Sequence, residues 1–215
     1  MIKLRRIAMV ALVAAGLAAC AVAPPRPAVS DPENTFEQYR GVMQAVDNWQ
    51  AKGKLAVNTH KRGGTANMIW QREGGKHNVN LYGPFGGGRV VLTKDANGAN
   101  LMDSKKRVVR GETAEEVLQR AAGWRVPFAA MQYWILGVPA PKISFTKTLD
   151  SYGRLQHLRQ DGWDIEFLEY RTFSDRELPR KMVLTALPGT QHITDDELGE
   201  NDRVEVKVII KQWTL

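Results

Sequence analysis

Cysteine is almost missing from this chain: Cys20 is the only one in 215 residues. That excludes a disulfide framework, a thiolate-rich metal site and a thiol nucleophile anywhere past the first twenty residues. Histidine is scarce too. His60, His77, His157 and His192 sit in unrelated polar segments. No two of them have metal-ligand spacing, and neither an H-E-x-x-H nor a nucleophile-elbow motif is present. Asp161, Asp164 and Glu166 cluster, but carboxylates spaced along a strand read as a solvated face. No enzyme activity, cofactor or metal is expected. Excess charge of one sign is slight. The chain carries +7 overall, and setting aside Lys3, Arg5 and Arg6 leaves 27 basic against 23 acidic side chains. An interspersed +4 does not argue for nucleic acid.

A long hydrophobic run is also lacking. Residues 7–19 form an apolar stretch of 13, whereas a membrane-spanning helix takes about 20. The basic start MIKLRR, the short apolar middle and the small residues after it read as an export signal over residues 1–19. Its end, LAAC, resembles the bacterial lipobox, in which the cysteine is acylated and becomes the first mature residue. Lipidation of Cys20 also accounts for an unpaired cysteine in an exported chain. Ala21 follows where Asp would resemble an inner-membrane retention signal, so the outer membrane is the expected destination. Pro24, Pro25 and Pro27 then mark residues 20–30 as a stiff, extended tether. Residues 31–215 read as one domain, with no internal repeat and no second linker.

Within that domain, Asp31 can cap a helix with Pro32 in its first position, and Phe36, Tyr39, Met43 and Val46 share a face. Period-two alternation follows. It pairs Leu55 with Val57, groups Ala66, Met68 and Trp70, pairs Val79 with Leu81, and pairs Val90 with Leu92. Two shorter strands flank a turn at Lys105 and Lys106. Two helices then interrupt. The first has Thr113 and Glu116 at capping-box spacing. The second starts near Pro127, ends at Gly137 and Pro139, and carries Phe128, Met131, Trp134 and Ile135 on one face. Five more strands run to the C-terminus, with Trp163, Ile165 and Phe167 on one side and Val204, Val206, Val208 and Ile210 on another. The inventory is about eleven antiparallel strands and about three helices, a mainly β fold with an α lid. So many strands curl into a barrel or split into a sandwich. Helices across the open side either enclose an apolar cavity or cap a solid core, and the pattern by itself favours the solid core.

The stretch YGPFGGG, Tyr82 to Gly88, poses a second alternative. A phosphate loop does not fit: there is no Lys-Ser/Thr pair, and the run joins strand to strand, offering no helix N-terminus. Hairpin chemistry fits better, since glycine permits left-handed geometry and Pro84 fixes its own φ. Phe85 then either projects from the turn toward something apolar or tucks against a neighbouring loop.

Several pieces line up with one family. After the lipobox, tether and helix come Trp49 and Gly53 in a W-x₃-G pattern, the PFG hairpin at Pro84 to Gly86, and QYWILGVP at Gln132 to Pro139. The chain closes on a strand pair, residues 178–185 and 204–213. Together these resemble the LolB family of outer-membrane lipoprotein receptors across nearly all of the mature chain, and the WILG-P helix and the hairpin are the specific pieces. The resemblance implies a half-open antiparallel β-barrel of about eleven strands with a helical lid over an apolar cavity. It implies a lipid-anchored monomer facing the periplasm that accepts lipoproteins from a soluble LolA-like carrier. It would hold the cargo's acyl chains and insert them into the inner leaflet of the outer membrane without nucleotide. The family's protruding hairpin carries an exposed apolar residue, often Leu. Phe85 stands at that position, flanked by Pro84 and Gly86. Candidates for the cavity or lid are Leu55, Val57, Met68, Trp70, Val79, Leu81, Trp134, Ile135, Trp163 and Ile165. A different reading makes the chain an envelope assembly scaffold, or a lipid binder without transfer activity.

Overall fold

A computed structural model describes residues 27–59, 63–83, 86–122, 126–188 and 204–215. The expected signal peptide, Cys20, Pro84, Phe85, His60 and His192 lie outside the described residues. Those described comprise eleven strands and three helices. The helix α1 (Pro32–Gln44) begins as its sequence dictates. Asp31 is extended and its carboxylate accepts the Asn34 N–H at 3.0 Å, with Pro32 next in line. Phe36 and Met43 are fully buried on its inner face.

Six strands follow as a meander: β1 (Asn48–Asn58), β2 (Gly63–Glu73), β3 (Lys76–Tyr82), β4 (Val90–Asp95), β5 (Gly98–Met102) and β6 (Val108–Gly111). The helices α2 (Ala114–Ala122) and α3 (Phe128–Trp134) come next. Then β7 (Phe145–Leu149), β8 (Leu155–Gln160), β9 (Trp163–Phe173), β10 (Arg176–Ala186) and β11 (Glu205–Thr214) complete the chain. All lie in one antiparallel sheet, ordered β6-β5-β4-β3-β2-β1-β11-β10-β9-β8-β7. The last strand returns to pair with the first, so both ends of the domain meet mid-sheet. The sheet has two edges, β6 and β7; α2 packs against β5 and β6, and α1 against β7.

Glycine explains how the sheet bends where β1 meets β11. The register slips between Lys52 and Gly53, a β-bulge, and bulges increase local twist. A Cβ built on Gly53 would stand 2.1 Å from the Ile209 carbonyl oxygen. This is the physical content of the W-x₃-G pattern: the opposing backbone occupies the space a side chain would need. A second irregularity sits in β10 between Pro179 and Lys181. There β11 pairs only from Lys181 onward, so Pro179 has no ladder N–H to forfeit on that side. The strand runs from Arg176, two residues before the 178–185 expected from the sequence, with Pro179 inside it.

The QYWILGVP motif is a helix terminator. Gly137 has φ +77. Its N–H donates to the Trp134 carbonyl at 2.9 Å, and the Val138 N–H donates to the Tyr133 carbonyl at 3.3 Å. This is the double reverse bond of a Schellman motif. The helix therefore stops at Trp134, shorter than the apolar run suggested. Gly53→Ala is expected to destabilise the domain by about 3 kcal/mol, the upper end of overpacking costs because the clashing neighbour is backbone. A urea melt of the variant checks this, and an unchanged midpoint would contradict the bulge argument.

Candidate functional site: an apolar hollow beneath a helical lid

In an antiparallel meander the turns alternate between two ends. The turns after β1, β3 and β5 share one end with the start of β9 and of β11. At this end the interior is hollow, with a cavity of about 320 Å³. Its wall takes Leu55 and Val57 from β1, Met68 and Trp70 from β2, Val79 and Leu81 from β3, and Val90 and Leu92 from β4. Across it stand Trp163 from β9, Leu184 from β10 and Val206 from β11. In sheet order β4 and β9 are far apart, so their meeting around one space shows that the sheet curls into an open barrel. Leu118 of α2, Val126, Pro127, and Phe128 and Met131 of α3 cover it. The sheet alternates strictly here, so every lining residue falls on its strand's inner parity. The solid core favoured by pattern fills the rest of the interior, below and beside this space.

Seven of the ten residues read from the sequence come together on this wall: Leu55, Val57, Met68, Trp70, Val79, Leu81 and Trp163. Trp134 and Ile135 lie apart from it, at the anchored end of the lid. Trp134 is fully buried and its Nε1–H donates to the Gln160 side-chain oxygen at 2.8 Å. That oxygen also accepts the Ala140 N–H at 2.8 Å, while the Gln160 amide nitrogen donates to the carbonyls of Ala140 and Ile143, each at 2.9 Å. A buried amide with all these partners fixes the lid's C-terminal end to β8. Tyr39 of α1 adds a second tie, donating to the Leu136 carbonyl at 2.7 Å. Ile165 is also fully buried but packs in solid core beside the cavity, not on its wall. Strand parity puts it on the inner face; only packing decides which inner residues border empty space.

The lid's other end is tied within itself and to the sheet edge, where Arg120 of α2 donates to the Arg110 carbonyl of β6. The Thr113 hydroxyl accepts the Glu116 N–H at 3.2 Å, and Glu116 reaches back to the Glu112 N–H at 3.0 Å, one residue beyond the usual capping box. Pro127 offers α3 no side-chain cap. Instead Glu115 of α2 accepts the Ala129 N–H at 2.6 Å, joining the two lid helices.

Below the cavity the interior closes with rings. Trp70 stacks on Phe128 at 4.9 Å, and Trp49 meets both Trp70 and Trp213 edge-on at 5.4 and 5.6 Å. His77 belongs to this cluster. It is buried, its ring stands edge-on to Phe128 at 5.2 Å, and its Nδ1 accepts the Trp70 Nε1–H at 3.2 Å. The sequence reading had left His77 in a polar segment. The missed signal was its spacing from Val79 and Leu81, which puts all three on one face. Burial, with help from the Arg72 and Lys94 cations, lowers its pKa to about 4. Neutral His77 thus holds the indole that floors the hollow.

On the opposite, solvent-facing side, Asp164 pairs with Arg159 at 2.9 Å, and Glu166 is exposed. Among the described residues no group of three or more His, Cys, Asp or Glu could hold a metal. At the mouth, the β3–β4 hairpin is closed by the Gly83 N–H donating to the Gly87 carbonyl at 2.7 Å, with Gly86 and Gly88 at positive φ. The glycines serve turn geometry there.

A family profile described as "Outer membrane lipoprotein LolB" matches residues 47–213. The chain belongs to the LolB family of outer-membrane lipoproteins. Curated relatives include the outer-membrane lipoprotein LolB of Nitrosococcus oceani, 30% identical over 86% of each chain. That of Chromohalobacter salexigens is 32% identical over 79% of this chain and 78% of its own. Among solved structures, a Vibrio parahaemolyticus domain provisionally described as an outer membrane lipoprotein-sorting protein domain aligns with TM-score 0.46. It shares 13% identity over 86% of this chain and 93% of that one. The LolB match begins at Asp47 and ends at Trp213, and so takes in the whole sheet and both lid helices.

The His77 shift sets a pH dependence with a definite sign. The folded value lies below the ordinary 6.5, so the unfolded chain binds the proton first. The stabilisation is complete above about pH 6.5 and is lost as pH falls toward 4. Urea midpoints of the wild type should fall across that window more than those of His77→Gln, which cannot titrate yet can still accept from Trp70. Equal slopes for the two proteins would show that His77 is not buried neutral.

Proposed function

We propose that this LolB-family protein accepts lipoproteins from a LolA-like periplasmic carrier, shelters their acyl chains in the apolar hollow, and releases them into the inner leaflet of the outer membrane. The single observation that carries this reading is a wall built only from apolar side chains around about 320 Å³. Empty apolar volume is expensive. At about 24 cal/mol per Å³ the hollow costs on the order of 8 kcal/mol, an upper limit because its mouth is open. Whole domains have only roughly 5–15 kcal/mol of net stability. A cavity of that cost is consistent with use rather than with accident.

The chemistry needed is solvation, and no acid or base takes part. Three acyl chains hold about 40 CH₂ groups, so bare passage through water would cost roughly 30 kcal/mol at about 0.8 per group. Inside the hollow the chains exchange one apolar surrounding for another. Direction without nucleotide follows if each acceptor binds more tightly than the last, with the bilayer at the end. At about 320 Å³ the hollow lies at the small end of ligand sites, roughly 300–1,000 Å³, so three chains require the lid to move. Phe85, between Pro84 and Gly86, is assigned to enter the membrane from the mouth, and Cys20 to carry the anchor.

Two measurements bear on this. An environment-sensitive apolar dye should bind saturably and be displaced by a lipoprotein acyl group, and Val79→Phe should cut dye capacity severalfold without lowering stability, because it fills the hollow. Absence of displaceable binding would abandon the reading. Phe85→Glu should leave dye binding intact and lose cargo delivery to liposomes; normal delivery by that variant would remove Phe85 from the mechanism.

A further inference from the structure

The chain joins the fold at the end opposite the mouth. Val29 donates its N–H to the Ser151 carbonyl at 2.9 Å, and Ser151 lies in the turn between β7 and β8, on the closed end. Nine Cα-to-Cα steps lead from Cys20 to Val29 and can span at most about 32 Å. The 11-residue β1 is itself about 36 Å long. A lipid on Cys20 therefore holds the closed end near the bilayer and does nothing to bring the mouth down. Delivery as proposed above requires a second contact, at the mouth end.

The turn joining β5 to β6 is at that end and is built to present cations. The Asp103 carboxylate accepts the N–H groups of Lys105 and Arg107, both at 2.9 Å, and pairs with the Arg107 guanidinium at 2.6 Å. The Asp103 N–H donates to the Arg107 carbonyl at 3.0 Å, the Lys106 N–H returns to the Asp103 carbonyl at 3.0 Å, and Lys106 sits at φ +62. Asp103 and Arg107 thus neutralise each other inside a fixed loop. Lys105 and Lys106 are exposed and make no ion pair with any described residue, which leaves the tip at +2.

Beside the tip the outer face turns apolar. Met102 and Val108 oppose each other in register, each 43% exposed, and Val91 pairs with Met102 on the next strand. Single exposed apolar side chains are ordinary. A row of three, running to a doubly cationic turn, combines the two attractions that bind interfacial elements to acidic membranes. We infer that the β5–β6 hairpin docks on anionic phospholipid headgroups and so tilts the mouth onto the bilayer. A bilayer suits the observations better than a protein partner, because the anchor already keeps this surface within a domain's length of headgroups. The inference rests on the delivery reading.

The test uses the full-length lipidated protein in vesicles. With Cys20 acylated, Ser104→Cys supplies a single free thiol at the exposed tip for a fluorophore. Headgroup-labelled quencher lipid then reports contact. Quenching should be strong on vesicles containing phosphatidylglycerol, weak on phosphatidylcholine alone, and relieved by salt. Adding Lys105→Glu and Lys106→Glu should shrink the docked-to-free ratio by roughly twentyfold to thirtyfold, given about a fivefold contribution from each lysine near an acidic surface. The corresponding double arginine variant should dock normally. Equal quenching on neutral vesicles, or no effect of the glutamates, overturns the inference. So does a glutamate variant that docks normally but no longer takes cargo from a carrier, since the tip would then be a protein contact. Dye binding in the same samples separates the two readings: its loss defeats the cavity function, whereas its persistence without lipid-dependent quenching defeats the headgroup contact alone.

Discussion

An inner sheet face that packs ring against ring at its closed end and leaves a hollow toward its mouth governs this molecule. Trp49, Trp70, Trp213 and Phe128 reach across the closed end and meet ring against ring. Toward the mouth the same face lines the hollow with Leu55, Val57, Val79, Leu81, Val90 and Val206, and with Trp163 across from them. One continuous face is therefore core below and hollow above. The floor is fixed because His77, held neutral by burial, accepts from the Trp70 indole and sets its orientation.

Stability and function draw on opposite halves of that arrangement. The packed end supplies the burial that keeps the domain folded, and it offsets the cost of leaving the other end empty. The lid is fastened at both ends. Gln160, buried and fully partnered, and Tyr39 secure its C-terminal end to the sheet and to α1. At its N-terminal end Thr113, Glu115 and Glu116 tie the lid within itself, and Arg120 of α2 joins it to the Arg110 carbonyl of β6.

Much of the architecture is written in short-range pattern. Period-two alternation placed every strand from β1 to β11 within a few residues, since a curled sheet keeps one face buried throughout. Asp31 with Pro32, Thr113 with Glu116, and Gly137 announced helix ends because capping is local chemistry. Pattern was weaker where tertiary packing overrides local preference. Pro179 sits inside β10 because the neighbouring strand does not pair there. His77 is polar by composition yet inward by parity, and a buried indole N–H supplies its partner. Gly53 looked like a motif letter and turned out to be an exclusion volume facing Ile209.

By itself the sequence determined which residues face inward, how many strands and helices form, and, through the lipobox and the WILG-P and PFG motifs, which family the chain resembles. These follow from alternation, capping and glycine geometry, all of which act over a few residues. Only the tertiary structure decided that Trp163 borders the hollow while Ile165, on the same strand face, is locked in core, and that Trp134 secures the lid instead of lining the cavity. Whether an inward side chain meets another side chain or empty space depends on how far the sheet curls and what stands across from it, and that distance is set by residues more than a hundred positions away.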